Sequence, residues 1–293
     1  MLKKYEKLNR EIFEHEFLGI AEFLRYLDEM PTSSFYRDCQ SETGSHSFTK
    51  TNSYDEAENM CKFGYHEEFE KLVRLKDSIE RYIKLDNTRS KEYKDFIGYA
   101  PEVKAYLEGD PLNMLNRVNP KRKKISIYYN VAYSGSTSTK QVFNAGAIVL
   151  SFIEVLEKMN YSVDFNLFDM TECSRQISFP RFVLKRENER ANLQKLYFPM
   201  CHPSFQRRLV FKLQEKTPGL SSDWTRGYGS PCGISRIKEL LELDERNIVI
   251  SQPSDMGVSG NDIIQDAENM FHQIEKHNTV KALTLPKYYG GKR

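Results

Sequence analysis

Residues 125–168 constrain the fold of this 293-residue chain more than any other stretch. Residues 125–132 (ISIYYNVA) are a β-rich run launched from the basic step PKRKK, and a loop of serine, glycine and threonine (SGSTST) follows. Residues 141–159 then carry Phe143, Ala147, Ile148, Leu150, Ile153, Val155 and Leu156 at helical spacing, and residues 161–168 (YSVDFNLF) return to strand composition. A strand, a tight loop, a long helix and a second strand make a crossover, which joins parallel neighbours in one sheet.

Around this unit the punctuation predicts the remaining elements. Residues 1–30 read as one helix, with Leu8, Ile12, Ile20, Phe23, Leu24 and Leu27 close to a 3.6 period and Pro31 as its stop. Its apolar stripe would pack on the rest of the chain or on a second copy. Ser53 and Glu56 form a capping box that opens a helix over 54–62, and another is expected over 67–84. Residues 86–120 break into turns and short pieces at Gly98, Pro101 and Gly109-Asp110-Pro111. Later come strands at 179–184 and 195–200, helices at 203–216 and 239–243, a strand at 247–251 and a helix at 262–277. The expected architecture is α/β: a mainly parallel open sheet wrapped by helices, Rossmann-like in plan, over residues 121–293. A helical, irregular region suited to oligomerisation precedes it over residues 1–120.

Composition narrows the function classes. Hydrophobic residues are 39% and charged residues 29%, the balance of a folded chain. Forty-three basic against forty-one acidic residues leave a net charge of +2, which excludes a strong global field for nucleic acid or anionic lipid but allows a local patch. No apolar run approaches the roughly 20 residues that span a bilayer. The amino terminus carries acidic residues throughout and has no apolar signal core, and the five cysteines are scattered. Reduced thiols and a cytoplasmic location are expected.

Four constellations could carry chemistry. The loop residues Ser134, Gly135, Ser136 and Thr137 follow the first parallel strand, where α/β sheets bind ligands, and hydroxyls and N–H groups there can hold a phosphate or carboxylate. The loop lacks the Walker, G-x-S-x-G and G-x-G-x-x-G patterns, and an N-capped connection is the plainer reading. Lys121, Arg122, Lys123, Lys124, Arg181, Lys185, Arg207 and Arg208 lie among Tyr128, Tyr129 and Phe182 and would suit a nucleic-acid strand. Glu187, Glu189 and Glu215 among them argue for a solvated face instead. Trp224, Arg226 and Tyr228, in the glycine-rich stretch 221–235, are residue types that anchor protein interfaces. Cys39, His46, Cys61 and His66 have zinc-ligand chemistry at irregular spacing. The neighbours Cys201 and His202 would face opposite sides of a strand and make no dyad.

The run from strand 125–132 through strand 161–168 resembles the opening of a von Willebrand factor A-type domain, in which a hydrophobic strand enters a D-x-S-x-S loop before a long helix. Ser134 and Ser136 match the serines, Ala132 stands at the aspartate, and Asn130 lies two residues earlier on the same side. The resemblance implies a metal-ion-dependent adhesion site completed by Asp169 or Thr171 and by Asp255, hence a divalent cation. A hard cation wants carboxylate oxygens, so Ala132 makes the implied site degenerate. The phrases SFTKTNSYDEAENMCKFGY, AYLEGDPLNMLN and FNAGAIVLSFIEVLEKMNYSVDF are similar to a family carried by tailed bacteriophages and prophages. That similarity implies expression in a bacterial cytoplasm and transfers no catalytic residue. The combined expectation is a non-enzymatic, homo-oligomeric binding or assembly protein without a membrane role. Its partner would be a host or viral protein, a host defence complex included. The rival is a nucleic-acid- or nucleotide-binding protein.

Overall fold

A computed structural model describes residues 2–30, 45–66, 68–82, 91–118, 123–158, 160–220, 227–243 and 247–278. The chain opens with an antiparallel hairpin, β1 (Leu2–Lys7) and β2 (Arg10–Phe17), rather than the single helix expected over residues 1–30. Leu8 and Asn9 both adopt positive φ, 54° and 57°. Two consecutive left-handed residues make the turn that suits a two-residue hairpin. Only α1 (Ile20–Glu29) is helical in this stretch. The next elements are α2 (His46–Thr49), α3 (Tyr54–Phe63) and α4 (Phe69–Tyr82). Ser53 caps α3 by accepting from the Glu56 N–H at 3.1 Å, while the Glu56 carboxylate accepts from the Asn52 N–H.

A small unit comes next: β3 (Lys91–Asp95), β4 (Ala100–Pro101), α5 (Val103–Leu107) and β5 (Met114–Val118). Among the described residues its strands pair only with one another, in the order β3-β5-β4. Gly98 sits so close to the Leu115 carbonyl that an added Cβ would lie 2.1 Å from its oxygen. Only glycine permits the bond from the Tyr99 N–H to that oxygen at 2.9 Å.

The expected crossover is present. β6 (Lys123–Asn130), α6 (Thr139–Lys158) and β7 (Tyr161–Phe168) place the two strands parallel, from Lys123 opposite Tyr161 to Asn130 opposite Phe168. Then come β8 (Thr171–Cys173), β9 (Gln176–Lys185), α7 (Leu193–Cys201), a π-helical turn (Phe205–Val210) and α8 (Phe211–Lys216). The chain finishes with β10 (Ser230–Pro231), α9 (Ile234–Leu241), β11 (Asn247–Ile250) and α10 (Ile263–His277).

The main sheet runs β1-β2-β9-β7-β6-β11, with β8 beside β9 and β10 beside β8. The α/β expectation holds, but the sheet is mixed rather than mainly parallel. β11, β6 and β7 are parallel neighbours, and so are β2 and β9, whereas β7 and β9 are antiparallel. The connection from β7 to β9 explains this, because so short a segment cannot make a crossover and must turn back. The sheet also crosses residue 120, since β1 and β2 are strands of the same sheet as β6 and β11.

The expected strand at 195–200 is the helix α7. Asn192 caps it by accepting from the Lys195 N–H at 3.2 Å, and every residue from Leu196 to Cys201 is buried. An apolar run buried on all sides has no period to distinguish helix from strand. α6 and α7 meet at Gly146, where an added Cβ would lie 2.5 Å from Cys201 Sγ and 2.6 Å from the Met200 carbonyl oxygen.

One sheet face is covered by α1, α3, α4, α6, α7, α10 and the π-helical turn. The opposite face packs α9 on Ile12, Phe168, Ile177, Phe179 and Val249. Among the described residues α6 alone has the length and mean hydropathy of a membrane span, and it lies inside the thicker layer as a core helix.

Candidate functional site

The loops at the carboxyl ends of β6 and β7 are tied together by Asn130. Its Oδ1 accepts from the N–H groups of Ala132 and Met170, each at 3.1 Å, while its Nδ2 is buried without a partner. Asp169, the residue after β7, is wholly buried. Its Oδ2 accepts from Gln206 Nε2 at 3.1 Å, its Oδ1 lies 3.5 Å from Thr171 Oγ1, and that hydroxyl accepts from Gln214 Nε2 at 3.0 Å. Burial pushes the Asp169 carboxyl up to about 7, against the opposing pull of the Gln206 and Thr171 hydrogen bonds. Gln206 comes from the π-helical turn and no sequence pattern marks it. The result is a closed polar column that links β7 to the helical layer.

The loop 133–139 is equally self-contained. Ser134 and Ser136 are exposed, with their hydroxyls 3.0 Å apart, and the Thr137 N–H donates to the Ser134 carbonyl at 3.0 Å. Ser138 accepts from the Gln141 N–H at 3.2 Å, and Gln141 Oε1 accepts from the Ser138 N–H at 2.9 Å. This capping box engages the N–H groups of Ser138 and Gln141. Arg207 locks the loop from below. Its guanidinium donates to the carbonyls of Phe48 and Thr137 and lies over the rings of Phe48 and Tyr133, at 4.1 and 5.3 Å.

The expected metal ligands do not converge. Ser134 and Ser136 bond each other, Asp169 faces Gln206 and Thr171, and Asp255 accepts from Ser251 Oγ at 2.8 Å and Gln252 Nε2 at 3.1 Å. No group of three His, Cys, Asp or Glu side chains with metal-holding geometry occurs among the described residues. With Ala132 in place of a carboxylate, this donor set does not fit a divalent cation. Of the zinc-like quartet, Cys39 lies outside the described residues, while His46 and His66 are exposed. Burial, with Glu58 nearby, pushes the Cys61 thiol up. The Cys201 thiol is buried in the core and likewise pushed up, and His202 is lowered to about 4 by burial. Neither has the character of an activated nucleophile or base.

Two further constellations disperse. Arg208 is wholly buried and donates to Thr49 Oγ1, Thr51 Oγ1 and the Thr51 carbonyl. Arg207 is nearly as buried, so neither offers its charge to a phosphate chain. Lys185 is buried against Glu157 at 2.7 Å, and Arg181 pairs with Glu16 at 2.6 Å. Lys123 is exposed, and Lys121 and Arg122 lie outside the described residues. In the glycine-rich stretch, Trp224 and Arg226 also lie outside them. Tyr228 is buried, its ring stacked on Phe211 at 3.7 Å and its hydroxyl donating to Glu215. That makes Tyr228 an internal anchor rather than an exposed contact.

What sequence reasoning missed is an apolar surface. Among the described residues, eight of the twelve exposed large hydrophobic side chains fall between residues 93 and 112: Tyr93, Phe96, Ile97, Tyr99, Val103, Tyr106, Leu107 and Leu112. Ile97 is 80% and Leu107 77% exposed. None of the unit's apolar side chains joins the hydrophobic cores among the described residues. The stretch DFIGYAPEVKAYLEGDPL interleaves apolar residues with charges and turn punctuation, and nothing local marks its apolar side chains as exposed.

A family model described as Domain of unknown function (DUF7192) matches residues 4–278. No curated protein and no solved structure matches the chain.

Proposed function

Since the chain belongs to the DUF7192 family, whose description assigns no activity, we propose its role from its own surface: a non-enzymatic binding or assembly protein that docks a protein through residues 93–112. The apolar exposure of that unit carries the reading. Burying one such side chain is worth about 1.5–3 kcal/mol, and folded chains rarely leave so many together in water unless a partner covers them. The polar residues at the strand ends are buried and bonded to one another and to the loop backbone, which supports the same reading, because it assigns them to holding the loops. The von Willebrand factor A-type likeness, with Ala132 replacing the metal-anchoring aspartate, fits recognition without a cation. The likeness to phage-borne proteins suggests a bacterial cytoplasm, with a host or viral protein, such as a defence complex, as the partner in that setting.

The test places a photoreactive phenylalanine analogue at position 106 of the full chain, expressed in a bacterial host and purified after nuclease treatment at high salt. A single protein cross-linked at that position, and lost in an Ile97→Lys/Leu107→Lys variant that still folds, is the expected result. Cross-linking that is absent, or unchanged by the double substitution, sinks the reading. Nucleic acid recovered in place of protein would do the same and would favour the basic residues at 121–124.

A further inference from the structure

We infer that the occupant of this surface is a second copy of the same chain, joined by antiparallel pairing of β3 with β3 across a two-fold axis at Tyr93. The inference rests on the binding reading above for the claim that residues 93–112 form an interface, and it adds who fills that interface.

The argument begins with strand edges, since an unpaired edge is a template for another strand. The main sheet guards the two ends of its six-strand path. At one end β1 carries Lys3, Lys4 and Lys7, paired with Glu16, Glu11 and Glu242, and edge lysines repel a docking strand. At the other end Asn278 acts as a substitute strand for β11. Its Oδ1 accepts from the Val249 N–H at 2.9 Å, and its Nδ2 donates to the Val249 carbonyl at 3.2 Å. The small sheet differs, because β3 pairs with β5 on one side and, among the described residues, with no strand on the other.

The sequence of β3 is KEYKD. Its charges have opposite sign at every pair of positions equidistant from Tyr93. An antiparallel pairing of two copies about Tyr93 therefore sets Glu92 opposite Lys94 of the other copy, and does so twice by symmetry. A lysine-bearing edge that would repel most strands thus accepts its own copy. Opposite charges directly across an antiparallel ladder stabilise it, and like charges destabilise it. Tyr93, exposed in the single chain, meets its own counterpart at the axis. The contact is isologous, so it closes after two copies, and it extends each three-stranded sheet by strand addition. Five paired residues alone make a small interface, so a concentration-dependent monomer–dimer equilibrium is expected.

Within one chain Glu92 accepts from the Tyr99 hydroxyl at 2.6 Å, and Lys94 lies 3.2 Å from Glu102. These contacts make the charge swap diagnostic. Glu92→Lys and Lys94→Glu each disturb internal contacts and each oppose like charges across the axis. The double variant disturbs the internal contacts of both residues but restores opposite charges between copies.

The experiment is sedimentation equilibrium of the full chain over a concentration series, with far-ultraviolet circular dichroism confirming that each variant folds. The expected result is dimerisation of the wild type, a dissociation constant about tenfold weaker in each single variant, and recovery to within about threefold in the double variant. A double variant weaker than either single one would mean that the internal contacts mattered instead, and it overturns the inference. A chain that stays monomeric throughout also overturns it, and leaves the surface to a foreign protein cross-linked at position 106. Should the charge variants fail to fold, Tyr93→Cys in an otherwise unchanged chain decides. Under air oxidation, with oxygen accepting the two electrons and two protons of the thiol pair, strand pairing at the axis predicts a disulfide-linked dimer whose cross-linked peptide joins position 93 to position 93, and a dimer without that peptide overturns the pairing.

Discussion

At the scale of single residues the molecule holds titratable groups whose burial acts on stability in opposite senses. His15 is buried with neither ring nitrogen bonded, its ring stacked on Phe17 and set edge-on to Tyr26. Desolvation lowers its pKa to about 3. Between that value and the ordinary histidine value near 6.5 the unfolded chain binds a proton that the folded chain does not, so acidification through this window destabilises the fold by about 1.4 kcal/mol per pH unit. Asp169 does the reverse. With its pKa raised to about 7, the folded chain holds the extra proton between about pH 4 and 7, and stability falls as pH rises through that range. Thermal unfolding across pH should separate the two. His15→Phe should flatten the acid-side loss, with its advantage growing as pH falls below about 6.5. Asp169→Asn should match wild type near pH 4 and exceed it by about 4 kcal/mol at pH 8. A pH-independent offset in either variant would show that packing, not protonation, sets the effect. Neither behaviour was legible in the sequence, because nothing local marks His15 as pointing inward or Asp169 as closed over by Gln206.

At the scale of elements, legibility tracks the strength of the local signal. α6 was readable because its apolar residues keep the helical period between two β-rich runs, and α3 because Ser53 and Glu56 cap it as their spacing requires. The hairpin was not, because Leu8-Asn9 lacks the glycine that usually marks such a turn, and β1 is polar on both faces. α7 was not, because complete burial erased its period. Its place in the core depends instead on Gly146, which lets the backbones of α6 and α7 approach. Gly146→Ala should raise helix propensity by about 1 kcal/mol and still destabilise the protein by about 1–3 kcal/mol, since the new methyl meets the backbone carbonyl of Met200 as well as the Cys201 sulfur. Chemical denaturation would register the net loss. A stabilised variant would show that the helices can separate without cost.

At the scale of the whole molecule, the sheet and the small unit should differ in how they open. A division at residue 120 is a fair reading of composition, because the charged and turn-rich stretch before it lacks the apolar density of the strands and helices after it. It overlooks that β2 pairs with β9 in register from Glu11 opposite Gln176 to Phe17 opposite Phe182. Pairings so distant in sequence have no local signature. Phe17 and Phe182 stack with centroids 5.5 Å apart, and Phe23 packs against both, so the two halves of the chain share one core. Among the described residues the unit of β3, β4, β5 and α5 has only its own strand pairs and little buried apolar surface. Regions with few buried contacts open locally, at lower free energy than the global transition. Amide hydrogen exchange in dilute solution should therefore show β2 protected together with β9 and β7, and residues 91–118 exchanging much faster. Raising the protein concentration should slow exchange in β3 and leave the strands of the main sheet unchanged, because pairing between copies buries that edge. If β2 instead exchanges early and separately from β9, the amino-terminal hairpin is an appended element rather than part of a single cooperative sheet.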